Sequence, residues 1–271
     1  MLIVVAETLG GLFSHSTALI ADAGHNLSDV LGLVLAGGAL WLSKRPAKGR
    51  RTYGYGKATV MAALINGAVL MLVSGGLVVE AVERLGRPEP IAPLLVMAVA
   101  AIGVVVNTLT ALMFIKGAHG DVNARGAFLH MAGDAAVSVG VILSAGLVAL
   151  TGWSWIDPVT TIVVVTVIVV GAWGLLRESL DLALDAAPAG SDLTGIRDFL
   201  LQAPGVTEVH DLHVWAMSTT ETALTAHLVR PSAEDEDQCR ERLVLGLEDR
   251  FGLGHATLQI ERVRSEHCPE C

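Results

Sequence analysis

Two long apolar stretches of this chain each carry a histidine and an aspartate four residues apart, His25 with Asp29 and His130 with Asp134. Ionisable side chains are costly inside a membrane, so they face a partner, a ligand or a water-filled path. A spacing of four puts both members of a pair on one helix face, one turn apart. These faces are therefore expected to turn towards a partner or a water-filled path rather than towards lipid. Two imidazoles and two carboxylates meeting between helices form a donor set suited to tetrahedral Zn²⁺. A polar network that merely ties helices together is the competing reading. Interhelical hydrogen bonds contribute only about 1 kcal/mol each, and a carboxylate is an expensive way to obtain one.

Composition agrees with a membrane setting. Of 271 residues, 52% are hydrophobic and 17% charged, and the mean hydropathy is +0.59, beyond the range of an ordinary soluble domain. Stretches 17–42, 58–82, 91–116, 124–150 and 155–176 are long enough to span, which takes about 20 residues. Residues 1–13 are apolar but too short, and they lack the basic start of a signal peptide. They read as a first helix whose beginning is missing. Lys44, Arg45, Lys48, Arg50, Arg51 and Lys57 crowd the connection 43–57, which the positive-inside rule places in the cytoplasm. Counting helices from there puts both termini in the cytoplasm, with the short loop at 119–125.

From about Ser191 the chain turns polar, and the pattern predicts a small α+β tail. A helix over 191–203 with Ser191 as N-cap is followed by strands at 206–217 and 223–229, a helix at 235–251 and a strand at 256–263. The order α-β-β-α-β is a ferredoxin-like plan without its first strand. Net charge is −9, with Glu234, Asp235, Glu236 and Asp237 contributing to an acidic tail. No basic stripe suits nucleic acid, and no G-x-x-x-x-G-K-[ST] loop suits a nucleotide. Cys239, Cys268 and Cys271 all lie in the tail, too few for a disulfide framework and consistent with a reducing compartment.

Other polar residues within the spans have structural expectations. Asp157, before Pro158, is expected to start the last spanning helix. Asn66 and Asn107 are expected to hydrogen-bond between helices. Asp22, one turn before His25, either shares the cavity or offsets the helix macrodipole.

Taken together, ALIADAGHNLSD (18–29), RTYGYGKATVMAALIN (51–66), HMAGDAAVSVGVIL (130–143), WIDP (155–158), VHDLHVWAMS (209–218) and HATLQIE (255–261) resemble the cation diffusion facilitator family, in particular its bacterial zinc-transporting branch. The resemblance covers almost the whole chain. It implies a membrane all-α domain of six helices, the first truncated here, over 1–184. A C-terminal α+β ferredoxin-like cytoplasmic domain for metal binding and dimerisation would occupy 185–271. It implies a homodimer in a bacterial inner membrane that exports divalent metal, Zn²⁺ preferred, against inward protons by alternating access.

The family's transport site maps onto His25, Asp29, His130 and Asp134, in agreement with the spacing argument. Its cytoplasmic site maps onto His210, His227 and Glu261, which would hold a regulatory Zn²⁺. Cys268 and Cys271, a C-x-x-C pair, resemble a second tail zinc site, though the N-terminal segment that completes it in relatives is absent here. The 43–57 connection contains neither Asp nor His, so no metal is expected there. The resemblance implies a transporter, not an enzyme. A passive zinc channel or a membrane zinc sensor remains as the alternative. An intramembrane zinc hydrolase fits less well, because four protein ligands leave no open position and no H-E-x-x-H occurs.

Overall fold

The computed structural model describes residues 2–87, 89–115, 122–232 and 235–264, with the side chains of 2 and 122–127 left aside. Six helices come first: α1 (Leu2–Ser14), α2 (Thr17–Ser43), α3 (Ala58–Gly86), α4 (Pro93–Phe114), α5 (Val122–Thr151) and α6 (Ile156–Ala183). The last five are long and apolar enough to cross a membrane, while α1 is a shorter apolar helix. After them come α7 (Leu193–Leu201), β1 (Glu208–Ala216), β2 (Thr222–Val229), α8 (Glu236–Phe251) and β3 (His255–Glu261). The expected element order holds throughout, with most ends shifted by a few residues and the last spanning helix running on to Ala183.

The chain forms two compact units. One comprises Met1–Leu33 and Asn66–Trp173, and the other Val34–Ile65 and Gly174–Cys271. In the first, α2 is the helix around which the others pack. Ala18 and Leu19 meet Val96 and Ala100 of α4 and Val141 and Ala145 of α5. On another face, Ala21 joins Leu70 and Leu77 of α3 with Val164, Val165 and Ile168 of α6. Small residues at these contacts let the backbones approach, the usual means of helix association in lipid. Leu33, Leu72, Leu94 and Leu150 face outward and are largely exposed, as lipid-facing positions require.

The α1–α2 turn passes through His15 in the left-handed region (φ 56°). Ser16 is the N-cap of α2, its Oγ accepting from the Leu19 amide at 3.2 Å. Asp157 completes this cap from α6. Its Oδ2 accepts from the Thr17 amide at 2.7 Å and from Thr17 Oγ1 at 2.8 Å, and the Ser16 hydroxyl donates to Oδ1. A buried carboxylate on a helix N-terminus satisfies orphan amides and meets the positive end of the dipole. The expectation that Asp157 starts its own helix is thus only part of its role, because it also caps α2.

On the same side, Arg84 at the end of α3 donates to the His15 carbonyl at 2.6 Å and to Glu80 at 2.9 Å. Arg84 and Arg87 stand at the far end of α3 from the basic connection 43–57. Glu80 and Glu89 lie within ion-pair distance of Arg84, and two arginines stand against six basic residues at 43–57.

In the second unit, β1 and β2 pair antiparallel and β2 and β3 parallel. One sheet face packs Val209, Val214, Leu224, Ala226, Leu228 and Leu258 against α7 and α8. The N-cap of α7 is Asp192, not Ser191, its Oδ1 accepting from the Gly195 amide at 2.8 Å. The aspartate stands at the cap position that the serine was expected to fill. The connection between α2 and α3 docks on the β1–β2 turn, where Thr59 Oγ1 accepts from the Thr219 amide at 3.1 Å.

Candidate metal centres

His25 and Asp29 lie on α2 and His130 and Asp134 on α5, and the two pairs interlock. His25 Nε2 is 3.2 Å from Asp134 Oδ1 and 3.6 Å from Asp29 Oδ2. His130 Nε2 is 3.2 Å from Asp29 Oδ2 and 3.8 Å from Asp134 Oδ2. Each imidazole therefore stands between one carboxylate of its own helix and one of the other, in a closed ring. With ligand bonds of about 2.0 Å, a tetrahedral zinc site has ligand–ligand edges of about 3.3 Å, and all four ring contacts lie near that value. The Asp29 and Asp134 Oδ2 atoms are buried without a hydrogen bond of good geometry, although an imidazole nitrogen is close. Their lone pairs are left open for a cation at the ring's centre.

The ring's burial is uneven. The side chain of Asp134 is 5% exposed and that of His130 46%, so the site has one closed corner and one open corner.

A second cluster lies in the tail. His210 on β1 is the register partner of His227 on β2, and their rings meet edge-on with centroids 5.2 Å apart. Glu261 ends β3, its Oε1 3.0 Å from His227 Nδ1 and its Oε2 3.5 Å from His210 Nε2. The His210 Nε2 atom is buried and has no hydrogen-bond partner among the described residues. An orphaned imidazole nitrogen facing a carboxylate fits a metal ligand, and the donor set suits zinc.

A bulge between His210 and His213 shapes this face. Residues three apart on a strand normally point to opposite sides. The bulge instead pairs them with His227 and Thr225, two residues apart on β2, and so on one side. Asp211 sits in the bulge at φ 51°. Its Oδ1 is 2.9 Å from His213 Nε2 and its Oδ2 3.6 Å from His227 Nε2. The hydrogen bond from His213 holds the Asp211 carboxyl below the usual carboxylate range, so it stays ionised beside His227. Cys268 and Cys271 lie outside the described residues, as does the loop at 119–121.

The sequence reading missed Glu7, Asn26 and Ser138 near the ring, and it left the role of Asp22 open. Glu7 on α1 is fully buried, and its Oε2 accepts from Asn26 Nδ2 at 2.9 Å. Asp22 is equally buried, and its Oδ2 accepts from Ser138 Oγ at 2.8 Å. Glu7 is the only ionisable side chain in 2–13, a signal passed over because the segment was judged by its length. Asn26 and Ser138 carry no charge pattern that could mark them. Of the two asparagines expected to bridge helices, the Asn107 side-chain nitrogen is buried with no partner among the described residues. Asn66 packs over Gly32, where an added Cβ would lie 2.8 Å from its Nδ2.

A helical membrane domain with an imidazole–carboxylate ring, joined to an α+β tail with a second such cluster, defines an integral membrane protein equipped for divalent metal. Residues 1–182 match the cation efflux transmembrane domain, and residues 188–263 match the cation efflux protein cytoplasmic domain. The chain belongs to the cation efflux family. It is 35% identical over 259 residues to the metal cation efflux system protein CzcD of Cupriavidus metallidurans, covering 95% of this chain and 82% of that one. It is 32% identical over 269 residues to a cadmium, cobalt and zinc/H(+)-K(+) antiporter of Bacillus subtilis, covering 97% and 86%. It is 34% identical over 270 residues to the zinc transporter ZitB of Escherichia coli, covering 99% and 86%.

Proposed function

We propose that this protein exports divalent metal, zinc foremost, from the cytoplasm in exchange for protons. The observation that carries the reading is the closed ring of His25, Asp29, His130 and Asp134 between two membrane helices. Relatives named as zinc transporters and as a zinc/proton antiporter support it. Neutral imidazoles and ionised carboxylates bind metal, so metal and protons compete for the same groups. Imidazoles titrate near neutral pH, which suits His25 and His130 to proton carriage. At cytoplasmic pH the ring loses protons and takes metal. Opened to a more acidic exterior, it takes protons and releases the metal.

The basic connection 43–57 faces the cytoplasm in this reading, together with both termini and the tail. The membrane domain comprises 1–184 and the cytoplasmic domain 185–271, in a homodimer within a bacterial inner membrane. The tail domain, at under 90 residues, has a modest core, and association with a second copy would bury more. His210, His227 and Glu261 hold a regulatory zinc, with a fourth position open to water or to a residue of the second copy. In an Asp134→Ala background, where the ring is disabled, calorimetric titration with zinc reads the tail site alone. Adding Glu261→Ala lowers that affinity by about a hundredfold, since even supporting residues around a metal are worth 10–100-fold.

Zinc uptake into proteoliposomes, with and without an imposed pH gradient, tests the function. Uptake that rises with the gradient fits an antiporter. Flux indifferent to the gradient indicates a channel, and no flux alongside zinc binding indicates a sensor.

A further inference from the structure

Glu7 and Asp22 are two carboxyl groups inside the helix bundle, beside the ring but not members of it. Both are 0% exposed. Each has one oxygen that accepts a hydrogen bond, from Asn26 and Ser138 respectively. The other oxygen of each, Glu7 Oε1 and Asp22 Oδ1, has no partner among the described residues. No lysine or arginine pairs with either acid among the described residues.

Helix α4 leaves room for the Glu7 carboxyl at Gly103. A Cβ there would stand 3.0 Å from Glu7 Oε1 and 3.1 Å from Ser138 Oγ. The titratable groups facing Glu7 are Asp22 from α2 and Asp134 from α5, both acids. A buried carboxylate with an unmet oxygen, no cation and two acidic neighbours is costly, and a bound proton removes that cost.

We infer that the Glu7 carboxyl is a proton site of the transport cycle, protonated when the ring lacks metal and ionised when the ring holds it. The inference rests on the proposed metal–proton exchange at the ring. Metal arriving among His25, Asp29, His130 and Asp134 brings positive charge beside the pair. The Glu7 carboxylic acid then releases its proton to water and remains as a carboxylate. When metal leaves, the carboxylate takes a proton back, and no other bond is made or broken. Asp22 lies one turn from His25 towards the Thr17 end of α2, opposite the end that leads to the tail-docked connection. Asp22 therefore lies on the side of the ring at which metal would exit, and Glu7 reaches α2 at Asn26, level with the ring.

The test counts protons released per zinc bound by the full-length protein in detergent, in weak buffer with a pH indicator. Glu7→Gln keeps the shape and the acceptor for Asn26. It is expected to release about one proton fewer per zinc than wild type, and to bind zinc less tightly because the carboxylate that favours the ion is gone, while zinc–zinc exchange in proteoliposomes without a pH gradient persists at higher zinc. Glu7→Asp is expected to restore the missing proton. Unchanged release in Glu7→Gln overturns the inference, as does loss of zinc–zinc exchange in the folded variant with the proton count intact.

Infrared difference spectra of wild type provide a readout independent of how the variant folds. A protonated-carboxyl band should disappear on zinc addition and shift in Glu7→Asp, and a band absent or unshifted overturns the inference. Proton release on binding needs no transport. A wild type that binds zinc yet moves none sinks the proposed function, whereas a gradient-driven wild type with an unaltered Glu7→Gln sinks only this inference.

Discussion

Asp134→Ala is expected to abolish zinc-for-proton exchange in proteoliposomes while the protein stays folded and monodisperse in detergent. Asp134 is the closed corner of the ring, 4% exposed as a residue, and one of its oxygens faces each imidazole. Alanine removes two of the four ring contacts and one of the two negative charges that balance a divalent ion. Zinc affinity at the ring should fall by about a hundredfold or more, because first-layer ligands outweigh the supporting residues worth 10–100-fold. His25→Ala should do the same, since His25 likewise bridges the two helices. Gradient-driven zinc uptake that survives in either variant would remove the ring from the mechanism.

The second large effect concerns stability. Asp157→Ala should lower resistance to unfolding by about 3 kcal/mol, read as a lower midpoint in thermal or detergent denaturation. The figure combines a lost helix cap with charge-assisted hydrogen bonds to groups that stay buried. Ser16 and Thr17 are both 0% exposed, so water cannot replace the carboxylate that their hydroxyls and the Thr17 amide address. Asp157→Asn keeps an acceptor and should cost less. A midpoint unchanged in Asp157→Ala would show that the Ser16 cap suffices by itself.

These two residues mark how far the sequence could be read. The ring was legible because its spacing rule is local: four residues apart means one helix face, and the cost of charge in lipid supplies the rest. The spans were legible for a similar reason, since hydropathy over some 20 residues needs no knowledge of neighbours. Asp157 was legible only as the start of its own helix, because the groups it caps lie 140 residues away in the chain. Asp192 shows the limit at close range. Ser191 and Asp192 are both good caps, and only backbone geometry chooses between them. The bulge at Asp211 has no marker in VHDLHVWA, where a regular strand would have sent His213 to the opposite face. Glu7 was the avoidable miss, a lone acid among twelve apolar or small neighbours.

The ring's alternation bears on leakage. Because each imidazole touches one carboxylate from either helix, the four contacts are not two separate pairs that could loosen in turn. A slide of α2 past α5 by one helical turn, about 5.4 Å, opens both cross-helix edges together and leaves each helix with a bare two-ligand face. Grip on the ion is thus nearly all-or-none in the helices' relative position, like a clasp that has no half-closed notch. An ion held there would have no firmly liganded intermediate stop from which to escape backwards. That property would hold the metal gradient close to the limit that the proton gradient and the proton-to-metal ratio set.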